Sequence, residues 1–150
     1  MEMVRMEAKS ERLIMRSHIE ICDGHLIFPE IEKGVDILKN KSNVPEDGGF
    51  IFYNENDEQI CHIGIETKRK TLEVSYGTQA EYRGNGYMKE ALNFLLKRFI
   101  TENIKDDVYA LICKNPESQH ILEINGFRKE SPYGNNGFWF VFDRELYKEN

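Results

Sequence analysis

Charged and apolar positions alternate from Arg12 to Arg16 (Arg-Leu-Ile-Met-Arg), the period-two pattern of a half-buried strand. Ile31, Val35 and Leu38 then recur at helical spacing behind Pro29, which predicts a short helix over Pro29–Lys41. Phe50–Tyr53 and Ile60–Thr67 are aromatic and β-branched runs separated by Asn54-Glu55-Asn56-Asp57-Glu58, a hairpin signature. Lys68-Arg69-Lys70 reads as a solvated basic turn into a further strand, Thr71–Thr78. The period then changes. From Tyr87 to Glu102, Met88, Ala91, Leu92, Leu95, Leu96 and Phe99 fall on one helical stripe with Lys and Glu opposite. Asp107–Cys113 is an apolar strand. Pro116–Asn125 is a short helix with Asn115 as N-cap and Gly126 as the left-handed residue beyond its end. Phe127–Lys129 and Gly137–Phe142 close the pattern around the turn Pro132-Tyr133-Gly134-Asn135-Asn136. The order predicts a mixed α/β fold built around one sheet.

A chain of 150 residues with 40% apolar and 31% charged residues is a single-domain length, 1–150, with the balance of a globular protein. The net charge of -6 argues against a general nucleic-acid or anionic-membrane binder, which needs a basic face to release counterions. No apolar run approaches a membrane span, and Met1–Ser10 lacks the apolar stretch of a secretory signal. The three cysteines, Cys22, Cys61 and Cys113, are odd in number and scattered, which predicts reduced thiols and a cytoplasmic protein. Cys113, within an apolar strand, reads as a buried small hydrophobe. The histidines 18, 25, 62 and 120 do not form a ligand set, and no metal is expected. Trp139, Phe138, Phe140 and Phe142 read as core, with a wall on the substrate side as the other option.

The most informative stretch is Glu73 to Leu92, where a strand enters a short polar loop, two glycines and a long amphipathic helix. Arg83-Gly84-Asn85-Gly86 lets backbone approach a ligand without a Cβ in the way. The helix start beyond it offers unpaired N–H groups and a partial positive charge, which suit a phosphate or pyrophosphate. An ordinary glycine turn has the same appearance. A dinucleotide fingerprint would need glycine where Lys89 stands, and no Gly-Lys-Ser or Gly-Lys-Thr of a Walker loop occurs.

Arg83-Gly84-Asn85-Gly86-Tyr87-Met88 resembles the Q/R-x-x-G-x-G/A acyl-CoA loop of the GCN5-related N-acetyltransferase (GNAT) superfamily. Asn115-Pro116-Glu117-Ser118 with Gly126-Phe127 resembles its N-x-x-S…G-F segment, most nearly in the RimJ/RimL-type branch. Glu11-Arg12-Leu13-Ile14-Met15-Arg16 resembles the opening of that branch. The resemblance implies a central mixed, mostly antiparallel sheet with a splayed strand pair, Thr71–Thr78 and Asp107–Cys113, flanked by helices on both faces. It implies acetyl-CoA as co-substrate: the pantetheine arm along Gly77, Thr78 and Gln79, the pyrophosphate on the N–H groups of Arg83, Gly84, Asn85, Gly86, Tyr87 and Met88, and Asn115 and Ser118 facing the arm and its sulfur. Acetylating an amine requires removal of its proton and stabilisation of the departing thiolate. The resemblance nominates Glu73 as general base, with Glu66 and Glu81 as rivals. Many members carry a tyrosine four residues before the Gly-Phe pair. Here Leu122 stands there; the RimJ/RimL-like pattern suggests Ser118 as the hydrogen-bonding group for the sulfur, an ordinary first-turn helix hydroxyl being the other option. The implied function is N-acetyl transfer to a primary amine, on a protein N-terminus or a small molecule, by a monomer or homodimer. A catalytically silent acyl-CoA-binding module and a generic α/β domain with a fortuitous glycine loop remain the alternatives.

Overall fold

The structure is a computed structural model that describes residues 6–17, 19–22, 24–27, 48–68, 71–113 and 115–147. An eight-stranded sheet organises the fold. Its strands are β1 (Met6–Lys9), β2 (Ile14–Ser17), β5 (Gly49–Tyr53), β6 (Gln59–Lys68), β7 (Thr71–Thr78), β8 (Asp107–Cys113), β9 (Phe127–Tyr133) and β10 (Gly137–Phe142). They lie in the order β1-β2-β5-β6-β7-β8-β10-β9, with a separate hairpin of β3 (Glu20–Cys22) and β4 (His25–Ile27). Every neighbouring pair in the sheet is antiparallel except β7/β8. Two helices complete the described elements, α1 (Tyr87–Thr101) and α2 (Pro116–Ile124).

Period-two burial fixes which way each strand faces. Phe50 and Phe52 on β5 lie opposite Ile63 and Cys61 on β6, and Ile63 and Ile65 lie opposite Tyr76 and Val74 on β7. Val74 pairs with Ala110 on β8, and Ala110 with Phe140 on β10. All belong to, or pack against, one cluster that also contains Met88, Leu92, Leu95, Leu96 and Phe99 of α1 and Leu122 of α2. The helices touch each other through Asn93 Nδ2, which donates to Asn125 Oδ1 at 3.1 Å. Both therefore cover the same face of the sheet. The opposite face carries His62, Glu66, Glu73, Tyr109 and Trp139, whose ring meets Tyr109 and Tyr133 edge-on at 6.3 and 5.8 Å. The helix expected over Pro29–Lys41 lies outside the described residues.

Four expectations change. β1 and the β3/β4 hairpin were not foreseen, because they are three or four residues long and lack the flanking alternation that extends the pattern of β2 back to Arg12. β9 runs to Tyr133 instead of stopping at Lys129, taking Pro132 into a strand. At the sheet edge a proline loses no ladder bond, so Pro132 is tolerated there. Cys113 is exposed rather than buried, since it sits at the end of β8 beyond the last residue that β7 covers. The terminal aromatics divide between the faces: Phe140 and Phe142 are core, while Trp139 is half-buried on the other side.

Candidate active site

The parallel β7/β8 register runs from Thr71/Asp107 to Val74/Ala110 and stops, although the strands continue to Thr78 and Cys113. Beyond that point β8 pairs only with β10, and β7 only with β6. The strands part there, as expected of the splayed pair. Gln79 N–H donates to the Ile60 carbonyl at 2.9 Å, which sets the alternation along β7. Gly77 and Gln79 turn their backbone groups to β6, and Tyr76 and Thr78 turn theirs to the opening. The backbone available to a ligand in the gap is thus that of Tyr76 and Thr78, a shift from the expected run Gly77-Thr78-Gln79. The Thr78 carbonyl already accepts a bond from Arg83 Nε at 3.0 Å.

A cleft of about 610 Å³ opens beside this gap. Its walls bring together Gly77, Thr78, Arg83, Gly84, Gly86, Tyr87, Met88, Asn115 and Ser118 from the expected set, joined by Tyr76, Tyr82, Lys89 and His120. Gln79 and Asn85 adjoin it in sequence without lining it. The loop reaches α1 through a 3₁₀ turn, Ala80–Tyr82. Gly84 and Gly86 stand at φ of +80° and +77°, in the left-handed region that glycine enters without penalty. Gly86 is the N-cap of α1 and has no side chain to accept from its first turn, which is left uncapped by a side chain where Gly86, Tyr87 and Met88 line the cleft. Asn85 is exposed and folds back along the loop, its Nδ2 donating to the carbonyls of Tyr82 and Arg83 at 3.2 Å each. Its role is to hold the loop's shape.

Across the cleft, Asn115 Oδ1 accepts from Ser118 N–H at 3.2 Å, the N-cap read from the sequence. Tyr76 was not foreseen. Its hydroxyl donates to the Ser118 carbonyl at 3.0 Å and ties β7 to the first turn of α2. Burial pushes this phenol up to about 12. Alternation on β7 groups Tyr76 with Leu72 and Val74, which in sequence reads as core and hides it. Leu122 is fully buried in the core, away from the role a tyrosine would have there.

Glu73 lies on the face opposite α1 and α2, directly across from Glu66 on β6 and Tyr109 on β8, where the two parallel strands are about to part. Glu81 sits exposed on the 3₁₀ turn, apart from both. His62, two register positions beyond Gly64/Ser75, stacks against Gly77: a Cβ at Gly77 would come 3.0 Å from the imidazole Cε1. Burial lowers the His62 pKa, which favours the neutral ring over the charged one. Among the described residues no three His, Cys, Asp or Glu side chains converge as metal ligands would, and no helix is long and apolar enough to cross a membrane.

A family model described as an acetyltransferase (GNAT) domain matches residues 24–128, more than half of the chain. The chain belongs to the GNAT family. A GNAT-family acetyltransferase from Bacillus anthracis has a similar fold, with a TM-score of 0.63 at 20% identity, covering 93% of this chain and 99% of that one. A ribosomal-protein-S5-alanine acetyltransferase from Vibrio fischeri gives 0.64 at 15% identity over 95% and 99%. A spermidine N-acetyltransferase variant from Vibrio cholerae gives 0.52 at 18% identity over 63% and 64%. No curated protein matches the sequence significantly. Within this GNAT domain the parted strands, the glycine loop and the start of α2 form one continuous surface, and Glu73 stands on the other side of the sheet from it.

Proposed function

We propose that this single-domain chain is an acyl-CoA-dependent N-acetyltransferase of the RimJ/RimL type, moving acetyl from acetyl-CoA to a primary amine by direct attack. The parting of β7 from β8 beside a cleft walled by the glycine loop carries the reading. An extended arm fits along open strand backbone as an added strand does, and a pyrophosphate fits the left-handed glycines and uncapped helix start. In this reading the arm pairs with Tyr76 and Thr78, and the pyrophosphate meets the N–H groups from Arg83 to Met88. Asn115 holds the turn that presents Ser118 to the sulfur.

The acceptor enters from the face that carries Glu73. The ammonium gives its proton to Glu73, directly or through water. The amine nitrogen then bonds to the acetyl carbon and the C–S bond breaks; the second proton, which the nitrogen sheds on becoming an amide, passes to the departing thiolate while Ser118 hydrogen-bonds the sulfur. Thiolate has an ordinary pKa near 8.5, so its departure needs no strong acid. The acceptor is an amine on a protein N-terminus or a small molecule, in keeping with the acetyl acceptors named for the Vibrio fischeri and Vibrio cholerae proteins. The scattered cysteines favour the cytoplasm. Leu122 favours a second reading, an acyl-CoA-binding module without turnover.

Thermal unfolding with acetyl-CoA tests the common part. At about 100 times the dissociation constant, linkage stabilises the fold by roughly 2.7 kcal/mol, a rise in midpoint of about 5–10 °C. No shift at millimolar acetyl-CoA overturns both readings. A mass-spectrometric screen of free amines and peptide N-termini separates them, since the silent module shifts its midpoint and acetylates nothing.

A further inference from the structure

We propose that Arg12 and Glu90 form a latch that sets the shape of the phosphate loop, making Arg12 a positioning residue for the nucleotide end of the donor. The proposal rests on the reading of the glycine loop as a pyrophosphate site. Arg12 stands 78 residues before Glu90, ahead of β2, in a turn closed by Ser10 N–H donating to the Leu13 carbonyl at 2.9 Å. Its backbone N–H donates to Glu90 Oε2 at 2.8 Å, and its Nε to Oε1 at 2.7 Å. Ser10 Oγ adds a third bond to Oε2 at 2.7 Å. Burial raises the Glu90 carboxyl, and the bonds from Ser10 and Arg12 with the guanidinium charge more than reverse this, leaving it below the usual carboxylate range.

The same guanidinium reaches the loop itself. Nη1 donates to the Asn85 carbonyl at 3.1 Å, the Tyr87 ring centroid lies 4.2 Å from its central carbon, and a Cβ at Gly86 would lie 3.7 Å from Nη2. Arg12 thus contacts Asn85 and Tyr87 on either side of Gly86 at the loop-to-helix junction while Glu90 holds it from one turn inside α1. Glycines lose the most backbone freedom on ordering, and a loop ordered only by its ligand subtracts that cost from affinity. The latch orders Gly84–Gly86 beforehand. As a partly exposed ion pair it adds little to global stability, so its effect belongs in ligand affinity.

Calorimetric titration of the full chain with CoA, paired with an NMR titration with pantetheine, which lacks the pyrophosphate, tests this. Arg12→Ala and Glu90→Ala should each raise the CoA dissociation constant about tenfold. The double variant should also lose about tenfold rather than a hundredfold, because the two residues act as one unit. Pantetheine affinity should change by less than about twofold. Unchanged CoA affinity in both single variants overturns the latch, and so does an equal loss for pantetheine, which marks a general structural role. Failure of the unsubstituted chain to bind CoA overturns the pyrophosphate reading instead. If Arg12→Ala does not fold, Arg12→Lys carries the same test, since lysine keeps a cation near Tyr87 but cannot bridge Glu90 and Asn85 with a planar fork.

Discussion

At Gly84 a Cβ would meet nothing within 4 Å, and at Gly86 only Arg12 Nη2 at 3.7 Å. In the free protein, glycine is required at these positions by φ and not by crowding, and the two effects can be pulled apart. Gly84→Ala should cost about 1–2 kcal/mol in urea unfolding, the penalty of a left-handed alanine. Gly84→Asn, which tolerates that region, should cost less, yet both should weaken CoA binding because any Cβ stands between backbone and pyrophosphate. Equal CoA affinity in Gly84→Asn and the unsubstituted chain would place the phosphate elsewhere. At Glu73 the expectation is kinetic. Glu73→Gln should lower turnover about a hundredfold with CoA affinity unchanged, and the defect should shrink as pH rises and more of the amine is neutral. Normal turnover at neutral pH would pass the role to Glu66, across the strand pair, or to water.

At the scale of elements, the start of α2 is held from two sides, by its own N-cap Asn115 and by Tyr76 from β7. Asn115→Ala should cost about 1 kcal/mol of stability, and Tyr76→Phe a similar amount for its lost hydrogen bond, both read from urea midpoints. The caps of α2 were legible because Asn, Pro and Gly at those positions act through local backbone alone. The tie from Tyr76 was not, because 42 residues separate the hydroxyl from its carbonyl partner. The strands from Gly49 to Thr78 were legible for the same local reason. Their runs are long enough for β-branched and aromatic residues to declare a period, which β1, β3 and β4 are too short to do.

The whole molecule should weaken in alkali. Burial first, and then the Glu90 charge, pushes the Cys61 thiol from 9.0 up to about 12, and burial moves Tyr76 from 10.0 to about 12. The folded chain therefore keeps two protons that the unfolded chain surrenders. Their stabilisation is complete below pH 9 and is lost as pH rises from there towards about 12. By pH 11 the loss should be on the order of 4 kcal/mol. Urea midpoints between pH 8 and 11 under reducing conditions check it. Cys61→Ala should delay the onset by about one pH unit, and an unaltered onset would assign the loss to other groups.

Whatever depends on neighbours in sequence could be read from the chain alone: the alternation that buries one side of β7, the stripe of α1, and the capped start of α2. The glycine loop before α1 also belongs here, because left-handed backbone favours glycine for a local steric reason, with only Asp57 and Asn103 adopting it otherwise among the described residues. What depends on long-range register was decided only by tertiary structure. The β6/β7 register determines that Tyr76 and Thr78, rather than Gly77 and Gln79, turn their backbone to the gap that opens where β7 leaves β8, and no residue type encodes that phase. The pairing of Arg12 with Glu90 is of the same kind. Both are ordinary charged residues in the sequence, and they acquire a role because β2 and α1 are brought together across 78 residues by a core that neither of them forms.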